Sequence, residues 1–190
     1  MEGPVRTLLW RRLDVPGLEH FRLSAGAAGP RLAGTILLAH AGAPLHVEYE
    51  IECAADWRTR RVTVLMAHGG AARRMELDAD GDGRWRSGGA ELPAVAGCRD
   101  VDLSLTPATN TLPLRRLPLA IGESREVAAA WVLFPELEVR RLTQTYTRLD
   151  AQRLHYASDT GFSTEIEVDD GDLVVRYPPF WERVAAANAP

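Results

Sequence analysis

The sequence contains no lysine, since all 22 of its lysine-plus-arginine residues are arginine. This absence excludes chemistry that depends on a lysine side chain, such as a Schiff base, a lysine general base or the phosphate-binding lysine of a P-loop. Cysteine is scarce as well, and Cys53 and Cys98 lack the CxxC spacing of a structural zinc site. We therefore expect two reduced cysteines in the core and no bound metal or cofactor.

Recognised catalytic motifs are also missing. The five histidines show no HExxH spacing, and the chain has neither a GxSxG elbow nor a GxGxxG turn between a strand and a helix. Residues 78–83 match the first half of a calcium loop, but Gly89 stands where such a loop needs a bidentate glutamate. We interpret this segment as a polar hairpin tip that uses Asp-Gly turn chemistry.

A strong charge of one sign is missing too, because 26 acidic side chains against 22 basic ones leave a net charge of −4. Such a surface lacks the positive field that binds nucleic acid or anionic membranes. No apolar run reaches the ~18 residues of a membrane-spanning helix, and the first twelve residues do not resemble a signal peptide. We expect residues 1–190 to form one domain that stays in the cytoplasm without integral membrane association.

The sequence is rich in apolar residues that alternate with polar ones. In residues 45–53, for example, five apolar side chains fall on one face of a strand and four polar ones on the other. This pattern predicts a mainly β protein with one long, mostly antiparallel sheet. Further strands are predicted near residues 6–12, 18–25, 31–40, 62–66, 72–78, 84–87, 100–106, 127–134, 137–149, 152–157, 162–168 and 173–177.

One internal segment breaks the alternation and predicts a single central α-helix at about residues 107–120. Thr106 can cap its start, with Pro107 at the first helical position, where a missing N–H costs nothing. Leu114, Leu117 and Ile121 would share its buried face. Because an open sheet of this many strands tends to curl, we expect a spiral β-roll or half-barrel wrapped around this helix.

A second, weaker helix is predicted at residues 180–187, directly after the string Arg176-Tyr177-Pro178-Pro179-Phe180-Trp181. We interpret that string as a plug over an open end of the sheet or as a surface for a partner. Trp131, inside the apolar run 127–134, is interpreted as a core residue.

Two carboxylates, Asp100 and Asp102, share one face of the predicted strand 100–106. Same-face neighbours lie roughly 7 Å apart, which falls within the range of paired glycosidase carboxylates. Three interpretations remain open at this point: an acid/base pair, a solvated face that hydrogen-bonds to the next segment, or the polar wall of a cavity.

Arg115 and Arg116 follow closely, and an arginine fork binds phosphate, sulfate or carboxylate through paired hydrogen bonds. The alternative is a structural ion pair, for which Asp100 or Asp102 is a natural partner. Trp57 lies among arginines, where its indole can stack on a ligand or form a cation–π pair with Arg58.

The string from Asp100 to Leu117, D-V-D-L-S-L-T-P-A-T-N-T-L-P-L-R-R-L, resembles the signature of the putative glycolipid-binding family. Further strings that carry the resemblance lie at residues 9–12, 49–53, 56–60, 129–131, 134–137 and 177–181. The resemblance implies a spiral β-roll around one helix, a homodimer, and a shape similar to that of bacterial lipoprotein carriers. It brings no catalytic residues, and it points to positions 106–117 as a candidate site.

Our leading hypothesis is a protein that binds an amphipathic small molecule, a glycolipid or a lipid, between the curved sheet and the helix. Arginines would hold the headgroup, and small polar side chains would add hydrogen bonds. The candidate ligand-binding residues are Trp57, Asp100, Asp102, Thr106, Thr109, Asn110, Thr111, Arg115 and Arg116. The alternatives are a hydrolase that uses Asp100 and Asp102, and a purely structural homodimeric interaction protein.

Overall fold

A computed structural model describes residues 5–26 and 28–189, so residues 1–4, 27 and 190 of the predicted domain lie outside these ranges. The fold is mainly β, with one short α-helix, α1, at Thr111–Arg116 and 3-10 turns at Pro93–Val95 and Ala108–Asn110. The strands are β1 Val5–Arg12, β2 Gly17–Ala25, β3 Pro30–His40, β4 Ala43–Cys53, β5 Thr59–His68, β6 Ala71–Ala79, β7 Trp85–Ser87, β8 Ala90–Glu91, β9 Asp100–Leu103, β10 Ser124–Leu133, β11 Glu138–Arg148, β12 Arg153–Ser158, β13 Ser163–Val168, β14 Val174–Tyr177 and β15 Trp181–Ala189.

All fifteen strands belong to one sheet in the order β8-β7-β6-β5-β4-β3-β2-β1-β15-β14-β13-β12-β11-β10-β9. Neighbours in the sheet are neighbours in sequence except where β1 pairs with β15. The pairs are antiparallel apart from β9 and β10, which run parallel. The predicted long, mostly antiparallel sheet is therefore confirmed.

The two ends of this strand order contact each other. Thr59 in β5 donates its backbone N–H to the carbonyl of Arg99 and accepts the N–H of Val101 in β9 on its Oγ1, at 3.0 and 3.1 Å. Trp85 in β7 donates its indole N–H to the carbonyl of Cys98 at 2.8 Å. Strand β9, last in the order, thus contacts β5, and Cys98 just before it contacts β7.

The helix is shorter than the predicted 107–120 and ends at Arg116. Leu117 has an extended backbone (φ −128°, ψ 74°), because the ring of the following Pro118 disfavours a helical conformation in the residue before it. Leu114 is buried as expected, whereas Ile121, beyond the helix end, is 70% exposed. Pro107, and not the predicted Thr106, is the N-cap residue of the preceding 3-10 turn, although Thr106 Oγ1 accepts the N–H of Ala108 at 3.0 Å.

The predicted second helix at 180–187 is wrong, because this segment forms most of β15. Alanine-rich sequence favours a helix locally, but β15 pairs with β1 along nearly its whole length and also pairs with β14. These ladders satisfy the backbone hydrogen bonds of the segment, and its tertiary position outweighs its local preference.

The core holds three fully buried tryptophans, Trp10, Trp85 and Trp181. Trp10 donates its indole N–H to the carbonyl of Val174 at 2.9 Å, so its buried polar atom is satisfied. Cys53 and Cys98 are free and buried, and burial raises the pKa of the Cys53 thiol to about 12. Within residues 5–26 and 28–189, no helix is long and apolar enough to cross a membrane, and no group of three or more His, Cys, Asp or Glu side chains could hold a metal ion.

Candidate functional site

Two cavities lie at opposite ends of β15. The first, the aromatic pocket, has a volume of about 200 Å³ and includes Phe180, directly before the strand. The second, the Trp57 groove, has a volume of about 870 Å³ and includes Asn188, near the end of the strand. At ~3.3 Å per residue the two are separated by roughly 25 Å, and no described residue lines both.

Neither cavity is lined by residues 111–114 of α1, along which the apolar channel between sheet and helix is expected. The side chains of Leu112 and Leu114 on α1 are at most 1% exposed, so the space between helix and sheet is filled by core residues. Asn110, just before α1, lines the aromatic pocket, and Arg115, near its end, lines the Trp57 groove. One of the two cavities therefore lies at each end of the helix.

The aromatic pocket combines polar and apolar walls. Its polar lining comes from Asp102, Ser104, Thr106, Asn110, Ser158 and Thr160. Its apolar and aromatic lining comes from Leu103, Trp131, Leu142, Tyr156, Phe162, Tyr177 and Phe180. Strands β9 to β12, the segment between β9 and α1, the turn between β12 and β13, the end of β14 and the segment between β14 and β15 all contribute.

A hydrogen-bonded chain crosses the polar side of the pocket. Gln144 in β11 donates its Nε2–H groups to Asp102 Oδ2 and to the hydroxyl oxygen of Tyr156. Tyr146 donates its hydroxyl to Asn110 Oδ1 at 2.9 Å, and the amide of Asn110 donates to the carbonyl of Pro107 at 3.0 Å. These bonds fix the polar side chains in place before any ligand arrives.

Burial raises the pKa values of the acidic groups in this hydrogen-bonded series. It raises the pKa of Asp102 to about 6, although the hydrogen bond from Gln144 acts in the opposite direction. It also raises the pKa of Tyr156, to which the nearby charge of Asp102 adds. At neutral pH the pocket thus presents an ionised carboxylate with Oδ1 open to a ligand and a neutral phenol.

A second buried carboxyl, that of Glu19, contacts Thr106 of the pocket wall and does not line the pocket itself. Glu19 in β2 is fully buried, and its Oε1 accepts hydrogen bonds from the hydroxyls of Tyr49 and Thr106 at 2.5 and 2.7 Å. Its Oε2 has no partner among the described residues. Burial raises the pKa of Glu19 to about 8, so the carboxyl is neutral at pH 7.

The aromatic wall of the pocket is a cluster of four rings: Tyr156, Phe162, Tyr177 and Phe180. Their ring centroids lie 5.5–6.1 Å apart in tilted and edge-to-face pairs, the arrangements that aromatic side chains prefer. The guanidinium of Arg12 covers the Phe180 ring at 4.7 Å. The cluster forms a rigid apolar surface beside the Asp102 carboxylate.

Asp100 and Arg116 do not belong to either cavity. Arg116 binds both carboxylate oxygens of Asp100, at 3.0 Å from Nε to Oδ1, and the Asp100 side chain is 1% exposed. Burial raises the pKa of Asp100, against the lowering effect of Arg116. Because both oxygens are occupied, Asp100 is not placed to act as an acid or base beside Asp102, so the geometry does not favour a hydrolase that uses both.

Thr109 and Thr111 also line neither cavity. Thr109 Oγ1 accepts the N–H of Leu103 at 3.4 Å, and Thr111 Oγ1 donates to the carbonyl of Asp172 at the same distance. Both side chains therefore join the helical segment to the sheet. Of the residues predicted as a site, the structure brings Asp102, Thr106 and Asn110 together in the aromatic pocket.

The Trp57 groove brings together two other predicted residues. The guanidinium of Arg115 lies over the indole of Trp57, at 5.0 Å from the ring centroid. The cation–π partner of Trp57 is thus Arg115 and not Arg58, which forms ion pairs with Asp56 and Asp82. An aromatic face from the turn at residues 54–58 and a positive charge from α1 therefore meet at the groove.

Sequence reasoning missed several residues of the aromatic pocket. Trp131 is half-buried and lines the pocket, although its apolar surroundings predicted a core position. Gln144, Tyr156 and Phe162 carried no motif, and Glu19 lay in an ordinary strand pattern. The available signal was the resemblance itself, since the strings at 100–117, 129–131 and 177–181 all contribute to this pocket.

The chain is similar to known proteins in both sequence and fold. Residues 7–183 match the family described as putative glycolipid-binding. The fold is similar to the crystal structure of a DUF1089 family protein from Pseudomonas aeruginosa, with a TM-score of 0.81 and 34% sequence identity over 88% of this chain and 92% of that chain. No curated protein matches the chain.

Proposed function

Because the chain belongs to the putative glycolipid-binding family, we propose that it binds a glycolipid and holds the sugar headgroup in the aromatic pocket. The observation that carries this proposal is the set of Asp102, Gln144 and Tyr156 fixed beside the four-ring cluster. The same pocket collects side chains from the strings by which the chain resembles its family.

A sugar ring presents hydroxyl groups at its edge and C–H groups on its faces, and this pocket offers a partner for each. The ionised Asp102 carboxylate accepts hydrogen bonds from hydroxyls, and such charge-assisted bonds are stronger than neutral ones. The hydroxyl of Tyr156 and the hydroxyls of Ser158 and Thr160 are further partners, while Phe162 and Phe180 offer apolar surface. A volume of about 200 Å³ suits one small headgroup.

The alkyl part of the ligand would leave the pocket across its rim. Phe162 and Phe180 are half-buried there, so the first carbons of the chain can cover their exposed edges and gain about 25 cal/mol for each Å² of apolar surface removed from water. We infer that the sheet curls around α1, since β9 contacts β5 near the other end of the strand order. That curl gives the pocket its concave wall.

The proposal is tested by calorimetric titration with octyl β-glucoside below its micellar concentration, with octanol as the ligand that lacks a sugar. The wild-type protein is expected to bind the glucoside and to bind octanol at least about tenfold more weakly. Asp102→Asn should weaken glucoside binding by at least about tenfold, since one charge-assisted hydrogen bond contributes roughly 1.5–3 kcal/mol.

The matched control is Asp78→Asn, which removes the same charge from an exposed position on β6 outside both cavities. It should bind the glucoside as the wild type does. Equal affinity for the glucoside and octanol, or equal glucoside affinity in Asp102→Asn and the wild type, would overturn the proposal.

A further inference from the structure

The Trp57 groove is a mostly apolar channel. Its walls include Val5, Leu23, Pro30, Ala55 and the indole of Trp57. Its volume of about 870 Å³ lies within the range of sites that enclose small molecules. Apolar walls of this extent favour a ligand with a hydrocarbon chain.

A positive charge without a counter-charge lies at this groove. Arg115 forms no ion pair with a residue in the part of the chain that the structure describes, and its one hydrogen bond is a long contact of 3.4 Å with the carbonyl of Gly171. The guanidinium is held over the Trp57 ring. Its neighbour Arg116, by contrast, is fully engaged by Asp100.

A second guanidinium reaches the same place. Arg6 lines the groove, and both of its terminal nitrogens contact Asp169, Nη2 to Oδ2 at 2.8 Å and Nη1 to Oδ1 at 3.5 Å. Its Nε is buried and has no hydrogen-bond partner. Arg6 Nη1 also lies close to Gly171. A Cβ atom added to this glycine would lie 2.5 Å from Arg6 Nη1. Arg6 and Arg115 therefore meet at Gly171, where Arg6 is paired with Asp169 and Arg115 has no carboxylate partner among the described residues.

The backbone holds Trp57 in an unusual conformation. Its φ is +68°, a value that non-glycine residues adopt rarely and at a cost. The turn around it is fixed by backbone hydrogen bonds of 2.9 Å from Trp57 to Ala54 and from Ala54 to Arg58. The strained turn presents the indole to the groove and to Arg115.

From these observations we propose that the Trp57 groove is a second binding site, which takes a long-chain carboxylate such as a fatty acid. The carboxylate binds the guanidinium of Arg115, and the hydrocarbon chain lies along Val5, Leu23 and Trp57. The charge complementarity is direct, because the groove has an apolar floor and one guanidinium, that of Arg115, without a carboxylate partner among the described residues. This site is separate from the aromatic pocket at the other end of β15.

The test measures binding of laurate, with dodecanol as the uncharged ligand of equal chain length. Wild-type protein is expected to bind laurate about tenfold more tightly than dodecanol, because only the carboxylate gains charge-assisted hydrogen bonds. Arg115→Leu should remove this preference while dodecanol affinity stays the same. The control Arg140→Leu, which removes an equivalent exposed charge from β11, should bind laurate as the wild type does.

Asp102→Asn separates this proposal from the sugar-binding one. It should leave laurate binding unchanged, and Arg115→Leu should leave octyl β-glucoside binding unchanged. The second site is contradicted if laurate and dodecanol bind the wild type equally, or if Arg115→Leu keeps the full preference for laurate. Trp57→Asn should weaken the binding of both laurate and dodecanol, since asparagine tolerates the positive φ and only the indole is lost. Unchanged binding of the two ligands by this variant would also contradict the second site.

Discussion

Arg116 at the end of α1 holds both oxygens of Asp100 in β9, and this buried bidentate pair fixes the helix to the sheet. The next residue back along the helix, Arg115, is exposed and has no carboxylate partner among the described residues. Two adjacent arginines thus have different roles, one structural and one open to a ligand.

This difference predicts unequal effects on stability. Arg116→Ala leaves the buried Asp100 carboxylate without its partner, so we expect a loss of about 3–5 kcal/mol in the free energy of unfolding. Arg115→Ala should change it by no more than about 0.5 kcal/mol, as an exposed substitution. Urea unfolding of the two variants measures both values, and equal losses would contradict the assignment. The double variant Asp100→Leu/Arg116→Met should recover part of the loss.

The raised pKa of Asp102 predicts a pH dependence for sugar binding. Its carboxylate is ionised above about pH 6 and becomes protonated below it, so it accepts hydrogen bonds most strongly above that pH. We expect the affinity for octyl β-glucoside to fall as the pH is lowered from 7 to 5. Asp102→Asn should show a flat profile over this range, and an equal pH dependence in that variant would assign the effect to another group.

The buried Glu19 predicts a pH dependence of stability. Its pKa is raised from an ordinary 4.5 to about 8, so between these values the folded protein binds a proton that the unfolded chain has lost. Stability therefore falls as the pH rises, by about 1.4 kcal/mol per pH unit, and the fall ends near pH 8.

Glu19→Gln isolates this effect, because the amide keeps the shape of the side chain without a titrating group. Between pH 6.5 and 9, denaturant unfolding should show the wild type losing stability relative to the variant until about pH 8. Asp102 completes most of its own titration below this window. Parallel stability profiles for the two proteins would contradict a raised pKa at Glu19.

Gly34 in β3 lies opposite Tyr49 in β4 and leaves room for its ring. A Cβ at position 34 would come within 2.4–2.6 Å of the ring and hydroxyl of Tyr49. Gly34→Ala should therefore displace the ring, weaken its hydrogen bond to Glu19, and cost about 1–3 kcal/mol of unfolding free energy. In a Tyr49→Leu background the same substitution should cost less. Additive losses would show that the two residues do not compete for this space.

Much of the sheet is predictable from the sequence, since alternation fixes which face of a strand is buried. Residues 45–53 show this clearly, because β4 buries Leu45, Val47, Tyr49, Ile51 and Cys53. The alanine-rich β15 was not predictable, because its pairing with β1 depends on contacts more than 160 residues apart in sequence. The end of α1 at Arg116 is set by one local feature, the proline that follows Leu117.

The candidate site was predictable only in part. Asp102, Thr106 and Asn110 lie in one string and could be selected together, whereas their neighbours in the pocket come from distant strands. Asp100 and Asp102 share a strand face, yet Asp100 is paired with Arg116 and Asp102 lines the pocket. The spacing of the two residues in the sequence does not predict this difference. The homodimer, the cytoplasmic location and the single domain stay predictions from the resemblance and the composition.

Native mass spectrometry of the protein purified from its own host tests sugar-headgroup binding most directly. The account predicts a bound lipid whose fragmentation releases a sugar, retained by wild type and by Arg115→Leu but lost or strongly reduced in Asp102→Asn. A co-purified lipid without a sugar, or a glycolipid retained equally by Asp102→Asn, would contradict it.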